Sequence, residues 1–167
     1  MGTRSVIVGL VALAAACSKA ERTVDPENLL ANPDVRVEEG IQYKAETAIL
    51  ESFPVQLATT VKLTNTGNSP RQVTFPDGCV VLIRAYRTAE RTGEPAWDQS
   101  RVVACTMALV EVALAPGESR EFQARTDAGL ILGDSLPDGR YYFSALLRPD
   151  GRALEVPAGE ADLAVRR

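Results

Sequence analysis

The sequence contains no histidine, and this absence removes the commonest catalytic base near neutral pH. Ser-His-Asp and Cys-His nucleophiles need an imidazole, as do histidine-ligated metal sites. The one segment that begins like a nucleophile turn, Gly117-Glu118-Ser119, therefore has no base of this kind to activate its serine. Carboxylate, Lys or Tyr chemistry stays formally open. The composition predicts a protein that is not an enzyme and has no metal or cofactor.

A basic excess is also lacking. The 167 residues include 18 Lys and Arg against 22 Asp and Glu, which gives a net charge of -4. A nucleic-acid-binding surface needs positive charge to neutralise phosphates, so nucleic acid is not the predicted partner. The length suits one domain of ordinary size with an appendage.

Long hydrophobic runs are absent as well. The longest near the start, residues 6–16, follows Arg4 and ends directly before Cys17. It is too short for a membrane-spanning helix, which needs about 20 residues. Its length and flanks predict a signal peptide over residues 1–16. A buried N-terminal helix is the alternative, but the run has no amphipathic period.

The end of this run resembles the lipobox of bacterial lipoproteins, in Leu13-Ala14-Ala15-Ala16-Cys17. In such proteins the cysteine is acylated and becomes the mature N-terminus. The match is imperfect, because Ala14 occupies the place where leucine is usual, and an ordinary signal-peptidase cut after Ala16 stays open. Acylation of Cys17 would anchor the chain, at about 0.8 kcal/mol for each buried CH₂. With Ser18 following, we expect an exported outer-membrane lipoprotein that faces the periplasm.

Cysteine is scarce, with three in the chain. If Cys17 carries lipid, Cys79 and Cys105 remain, and an even remainder in an oxidising compartment predicts one disulfide. It would stabilise the fold by about 3.5 kcal/mol on the chain-entropy model. Two separately buried thiols are the alternative. Without histidine or a Cys-x-x-Cys pair, these cysteines make a poor zinc site.

The hydrophobic pattern divides the rest of the chain in two. Residues 17–40 predict a polar tether with room for one short helix, which would start at Asp25-Pro26 and end before Pro33. From residue 41 to residue 167 the apolar residues recur at every second position. The segment 56–64, for example, places Leu57, Thr59, Val61 and Leu63 on one face, as expected for a half-buried strand.

The same alternation recurs along the chain, between three turns of identical sequence. In these turns Asp bonds back to its own backbone, and Gly is expected to supply a positive φ. The turns are Pro76-Asp77-Gly78, Pro137-Asp138-Gly139 and Pro149-Asp150-Gly151. The further predicted strands are 73–75, 79–86, 108–114, 120–124, 141–147 and a last one that includes Leu163 and Val165. About seven to nine short strands predict an all-β, immunoglobulin-like antiparallel β-sandwich over residues 41–167.

Five segments in series resemble the intracellular proteinase inhibitor (BsuPI) domain family, across about residues 50–147. They are Val61-Lys62-Leu63-Thr64-Asn65-Thr66-Gly67, Val73-Thr74-Phe75-Pro76-Asp77-Gly78, Gly93-Glu94-Pro95-Ala96-Trp97, Leu114-Ala115-Pro116-Gly117-Glu118-Ser119 and Leu136-Pro137-Asp138-Gly139-Arg140-Tyr141. The resemblance implies an immunoglobulin-like sandwich and inhibition of serine proteinases. The export signal and the cysteine pair depart from an intracellular family. Fold likeness supports architecture better than it supports a partner.

Two aromatic residues have structural interpretations. Trp97 is the only tryptophan, and its place in a framework segment predicts core packing rather than a binding anchor. Tyr141 follows a turn by two residues and predicts a tyrosine corner, in which the hydroxyl bonds back to nearby backbone.

A proteinase inhibitor needs an exposed loop held rigidly, so that little entropy is lost on binding. Two segments are candidates. One is polar and basic, and its residues Arg87, Glu90, Arg91, Thr92 and Gly93 are the predicted partner-contact residues, suited to a trypsin-like pocket. The other, residues 127–134, is an apolar patch between glycines. A disulfide between Cys79 and Cys105 would enclose the first loop and stiffen it.

Two functions therefore remain open. One is proteinase inhibition at the cell envelope, with a serine proteinase as protein partner and the membrane as anchor. The other is an envelope binding or assembly module without inhibitory activity, which would pair an exposed sheet edge with another protein. The oligomeric state is not indicated by the sequence.

Overall fold

A computed structural model describes residues 35–50 and 55–164 of the chain. The predicted signal peptide, Cys17, residues 18–34 of the tether and Val165 lie outside these residues. The described part is all-β, with ten strands. They are β1 (Val35–Glu38), β2 (Ile41–Leu50), β3 (Gln56–Asn65), β4 (Arg71–Phe75), β5 (Leu82–Tyr86), β6 (Trp97–Asp98), β7 (Val110–Leu114), β8 (Ser119–Asp127), β9 (Gly139–Leu147) and β10 (Leu154–Leu163).

The strands form three antiparallel sheets, with orders β1-β2-β3-β8, β10-β9-β5-β6 and β4-β7. In the first sheet, β3 pairs with β2 from Ile41↔Asn65 to Leu50↔Gln56 and with β8 along its other side. The expected face of β3 is confirmed, since Leu57, Thr59, Val61 and Leu63 are fully buried. The predicted all-β antiparallel sandwich is likewise confirmed.

Aliphatic rows and a few aromatic rings fill the core between the sheets. Although aromatics make up only 5% of the chain, most of those in the described residues are used here. The buried aromatic residues are Tyr43, Phe75, Tyr86, Trp97, Tyr141 and Phe143. The predicted core position of Trp97 is therefore confirmed. The tyrosine corner is also present, because the Tyr141 hydroxyl donates to the Pro137 carbonyl oxygen at 2.7 Å.

The structure differs from the expected boundaries in three places. The first sheet begins at Val35, inside the segment 17–40 predicted as tether, because Val35–Glu38 pairs with β2. The strand predicted over 79–86 begins only at Leu82, since the Asp77 side chain accepts from the Cys79 amide and turns the chain there. The predicted loop 127–134 contains the short helix α1 (Ala128–Leu132), which is too short to show a helical period in the sequence.

One of the three Pro-Asp-Gly turns also differs from expectation. Gly139 and Gly151 adopt positive φ, at 141° and 78°, but Gly78 is not among the positive-φ residues. A Cβ at Gly78 would collide with the Thr106 hydroxyl. Glycine is required at this turn by the close approach of another segment, not by backbone conformation.

Among the residues that the structure describes, no helix combines the length and the apolar character needed to span a bilayer.

Candidate protein-contact loops

The loop between β5 and β6 carries the predicted contact residues, and Arg91 ties this loop to the sheet. The Arg91 guanidinium donates to the carbonyl oxygens of Phe143 at 2.9 Å and Gly159 at 3.0 Å. Gly159 lies at the irregularity in the β9–β10 pairing, between Pro157 and Glu160. Arg91 itself adopts a positive φ of 50°. The Arg91 guanidinium is therefore directed toward β9 and β10 and fixes the loop to these strands.

The other predicted residues of this loop lie at the surface. Arg87, Glu90, Thr92 and Gly93 are exposed. The Arg87 guanidinium stacks 4.7 Å from the centre of the Tyr141 ring, which is a favourable cation–π geometry. The structure thus places these five residues in one loop, with Arg91 turned inward. The four others remain predicted contact residues.

The second predicted loop, residues 127–134, turns most of its apolar side chains into the core. Asp127 caps α1 by accepting from the Leu130 amide at 2.8 Å. Ile131 and Leu132 are buried, and Leu130 is 61% exposed. The prediction that this segment presents an apolar patch to a partner is therefore wrong, because the helix packs Ile131 and Leu132 against the sandwich.

The predicted disulfide is present between Cys79 and Cys105, with the two Cα atoms 5.4 Å apart. It crosslinks the segment after β4 to a second exposed segment, residues 102–109, which we name the apolar loop. Its members Met107, Leu109 and Val102 are 96%, 66% and 59% exposed. No residue from Val103 to Leu109 belongs to a strand or helix, and the chain bends at Met107.

Gln99 fixes the base of the apolar loop. Its side-chain oxygen accepts from the Ile83 amide and its side-chain nitrogen donates to the Arg125 carbonyl, both at 2.9 Å. Because Ile83 lies in β5 and Arg125 in β8, this one buried side chain links the two large sheets. The Gln99 carbonyl in turn accepts from the amides of Val102 and Val103. The start of the apolar loop is thereby joined to both sheets.

Farther along, the apolar loop is held at Cys105 and at the next residue. The Gly78 amide donates to the Thr106 carbonyl oxygen at 3.0 Å, directly beside the disulfide. A cleft of about 270 Å³ lies alongside, lined among others by Val103, Phe122 and Ala124. The apolar loop is therefore held at both of these points, while Met107, at a bend in the loop, is almost fully exposed.

A cluster of charged side chains surrounds β6, the strand that precedes Gln99 and the apolar loop. Asp98 accepts from the Arg84 Nε at 2.8 Å and from the Ser100 amide and hydroxyl. Burial raises the pKa of Asp98, but the Ser100 and Arg84 contacts outweigh it and leave that pKa below its ordinary value. Glu155 accepts from Arg84 and from the Tyr86 hydroxyl. Burial first, and then the hydrogen bond to Glu155, raise the pKa of Tyr86 to about 12.

One group of potential metal ligands occurs in the described ranges, formed by Asp77, Cys79 and Cys105. Both sulfur atoms are consumed by the disulfide, and one Asp77 carboxylate oxygen accepts from the Cys79 amide. A thiolate pair is what zinc would need here. The disulfide therefore accounts for the closeness of these three side chains, and they do not form a metal site of this kind.

The apolar loop was not predicted from the sequence. Residues 102–110 carry no charge, which is unusual for a surface segment, and this was the signal available. The alternation of Ala108, Val110, Val112 and Leu114 instead predicted a strand, and only 110–114 is one. An uncharged run that contains a disulfide-bonded cysteine is equally typical of a buried strand, so the exposure of this segment could not be predicted from the sequence.

The family comparison gives one match. The model of the family described as intracellular proteinase inhibitor (BsuPI) matches residues 42–151. This range runs from β2 to the turn after β9 and includes every loop discussed above. No curated protein matches the chain.

Solved structures with similarity to the chain share little sequence with it. A protein described as the 'putative ApaA protein' from Bordetella pertussis is 22% identical, over 76% of this chain and 93% of that one, with a TM-score of 0.33. A β-glucosidase from Kluyveromyces marxianus in complex with glucose is 14% identical over 75% of this chain, with a TM-score of 0.38. β-Glucosidase 3B from Thermotoga neapolitana is 13% identical over 72%, with a TM-score of 0.36. The chain spans only 14% and 16% of those two enzymes, and scores this low carry no functional argument.

Proposed function

Because the chain belongs to the intracellular proteinase inhibitor (BsuPI) family, we propose that it inhibits a serine proteinase by presenting an exposed loop on a rigid β-sandwich. The observation that carries the proposal is the family match over residues 42–151, which covers the sandwich and its loops together. No catalytic chemistry is needed for this role.

The geometry of the domain supports this mode of action. A loop that is already held in its bound shape loses little conformational entropy when it enters an active site, and affinity rises accordingly. The β5–β6 loop and the apolar loop are each held by contacts with other segments of the domain. Arg91 ties the β5–β6 loop to β9 and β10, and the disulfide ties the apolar loop to the segment after β4.

The proposal is tested by titration. Increasing amounts of the folded, oxidised protein are added to a panel of serine proteinases, and residual activity is followed with a chromogenic peptide. We expect stoichiometric loss of activity with at least one enzyme. The control is the reduced and carboxymethylated chain, which can compete only as a cleavable substrate. Full activity of every proteinase at saturating protein would overturn the proposal.

We also propose that the domain works outside the cytoplasm, attached to the envelope through an acylated Cys17. Support comes from the uncharged run that ends at Ala16 and from the disulfide, because such crosslinks persist in oxidising compartments. Mass spectrometry of the mature protein tests both points in one spectrum. We expect acyl chains on Cys17 and the loss of two further cysteine hydrogens. A chain that retains residues 1–16 would contradict it.

A second function, an envelope binding module, is favoured by one observation. Strand β1 lies at the edge of its sheet, and its residues Arg36, Val37 and Glu38 are exposed. An open edge can accept a strand from another protein. A pull-down from envelope extract with the wild type and with Val37→Pro distinguishes this role. Retention of non-proteinase partners by the wild type alone would support it.

A further inference from the structure

The apolar loop combines two properties that soluble proteins rarely place together. Its side chains are hydrophobic and exposed, with Met107 almost fully in solvent, so they cost free energy rather than stabilise the isolated fold. Its backbone is nevertheless anchored by the Cys79–Cys105 disulfide and by the Gly78–Thr106 hydrogen bond. Hydrophobic side chains kept exposed on a braced backbone are typical of a binding surface.

We propose that the apolar loop is the segment that enters the proteinase active site, with Met107 in the primary specificity pocket. This inference rests on the function proposed above and assigns it to particular residues. Met107 lies at a bend in the loop and is the most exposed of its large hydrophobic residues. Binding is non-covalent, and no bond in either protein needs to break.

The composition of the loop identifies the kind of proteinase. Residues 102–110 carry no charge, and the side chain of Met107 is long, unbranched and apolar. The pocket of a trypsin-like enzyme ends in a carboxylate, whereas chymotrypsin offers a hydrophobic slot. Methionine suits the second kind, since a thioether chain adapts to an apolar pocket without leaving a buried charge unpaired. The partner is thus a serine proteinase with an apolar primary pocket.

The backbone of the apolar loop favours the same interpretation. No residue from Val103 to Leu109 is paired in a sheet, so this segment can form strand-like hydrogen bonds with a partner. The β5–β6 loop is less suited, because the Arg91 guanidinium already donates to Phe143 and Gly159. To enter an acidic pocket, that side chain would first have to break both hydrogen bonds.

The test measures binding and inhibition separately, using the full chain with its disulfide intact. Chymotrypsin and subtilisin serve as probes with apolar pockets, and trypsin as the probe with an acidic one. The active form of each proteinase is used to measure inhibition. An inert form, in which the catalytic serine is replaced by alanine, is used to measure binding by surface plasmon resonance. The variants are Met107→Asp, Met107→Leu and Met107→Arg. The matched control is Asn68→Asp, which adds the same charge to an exposed position in the turn between β3 and β4.

We expect Met107→Asp to weaken binding to chymotrypsin or subtilisin by about 100-fold, because a charge would be buried in an apolar pocket. Met107→Leu should keep the affinity, and Asn68→Asp should change it by less than about threefold. Met107→Arg should lose binding to chymotrypsin and gain binding to trypsin. None of these changes should lower the unfolding temperature, because both positions are exposed.

The outcomes separate this inference from the proposed function. If Met107→Asp binds as well as the wild type, or if Asn68→Asp weakens binding as much as Met107→Asp does, the assignment to the apolar loop is overturned while inhibition stands. If the wild type binds through Met107 but leaves the active enzymes uninhibited, the proposed function fails and the loop assignment stands. If the wild type binds none of the probes, both are overturned.

Discussion

At the scale of single residues, Gly78 is the position with the tightest steric requirement beside the apolar loop. Its amide donates to the Thr106 carbonyl, and a Cβ on Gly78 would lie against the Thr106 hydroxyl oxygen. The Thr106 Cβ is farther away, at 3.5 Å, which is an ordinary contact. The conflict therefore involves one oxygen atom and can be removed by one substitution.

Gly78→Ala should lower the free energy of unfolding by about 1 to 3 kcal/mol, because overpacking must be relieved by moving Thr106. The same substitution made in a Thr106→Ala background should cost much less, since the colliding oxygen is gone. Urea unfolding of the four proteins in this double-mutant cycle measures the coupling. Equal costs in both backgrounds would show that the collision is not what requires glycine here.

Asp98 is the second residue with a measurable individual effect. Its carboxylate is buried and accepts hydrogen bonds from Arg84 and Ser100, so its pKa in the folded state lies below the ordinary value of 3.8. A depressed carboxyl pKa adds stability that is fully present above the unfolded-state pKa. That stability is lost as the pH falls through the folded-state pKa.

Asp98→Asn should therefore cost about 1 to 3 kcal/mol at neutral pH, and the difference from the wild type should shrink as the pH falls below about 4. Urea unfolding between pH 7 and pH 2 follows this convergence. Asp134→Asn, at an exposed position, serves as the control and should leave the curve parallel to the wild type. A pH-independent difference for Asp98→Asn would contradict the linkage.

At the scale of elements, the disulfide and the apolar loop behave as one unit. The crosslink joins residues 26 positions apart, and between them lie the β5–β6 loop, Gln99 and the start of the apolar loop. Closing a segment of this length restricts the unfolded chain. In the folded protein, the same bond limits the motion of residues 102–109.

Cys79→Ser with Cys105→Ser should lower the free energy of unfolding by about 3.5 kcal/mol. Amide hydrogen exchange should rise chiefly in residues 102–109, since these lose their anchor. The control is the wild type in reducing agent, which should match the double variant. Unchanged exchange in the apolar loop would mean that Gln99 and Gly78 suffice to hold it.

The agreement between predicted and observed boundaries differs among the strands and helices, and it depends on how regular the burial pattern is. β3 was predicted almost residue for residue, because one face is buried along its whole length and the other face is buried only at Ala58. The strand predicted over 79–86 was too long, since Val80 and Val81 are buried without belonging to a strand. Helix α1 has five residues, which is little more than one turn, and its apolar positions resemble a loop. Short or irregular buried segments carry no period to recognise.

At the scale of the whole molecule, the two large sheets are coupled by polar as well as apolar contacts. Gln99 joins the Ile83 amide of one sheet to the Arg125 carbonyl of the other. The sole tryptophan, Trp97, lies two residues before Gln99 and is buried in the second sheet. Its fluorescence therefore reports on the core at the point where the sheets are joined.

We expect the domain to unfold in one cooperative transition, with the same urea midpoint by Trp97 fluorescence and by far-ultraviolet circular dichroism. Gln99→Leu should lower both midpoints equally, because it leaves the buried Ile83 amide without its acceptor, at about 1 to 3 kcal/mol. Separate midpoints for the two probes would show that the sheets fold as independent units.

The sequence by itself determined the class of fold, the disulfide partners, the core roles of Trp97 and Tyr141, and the family. Each follows from a local pattern or a count: alternation along β3, two cysteines left over, a turn two residues before Tyr141. Tertiary structure alone decided which loop presents apolar side chains, that Arg91 points inward, and why Gly78 must lack a Cβ. These depend on contacts between segments far apart in the chain, and a linear pattern does not contain such distances.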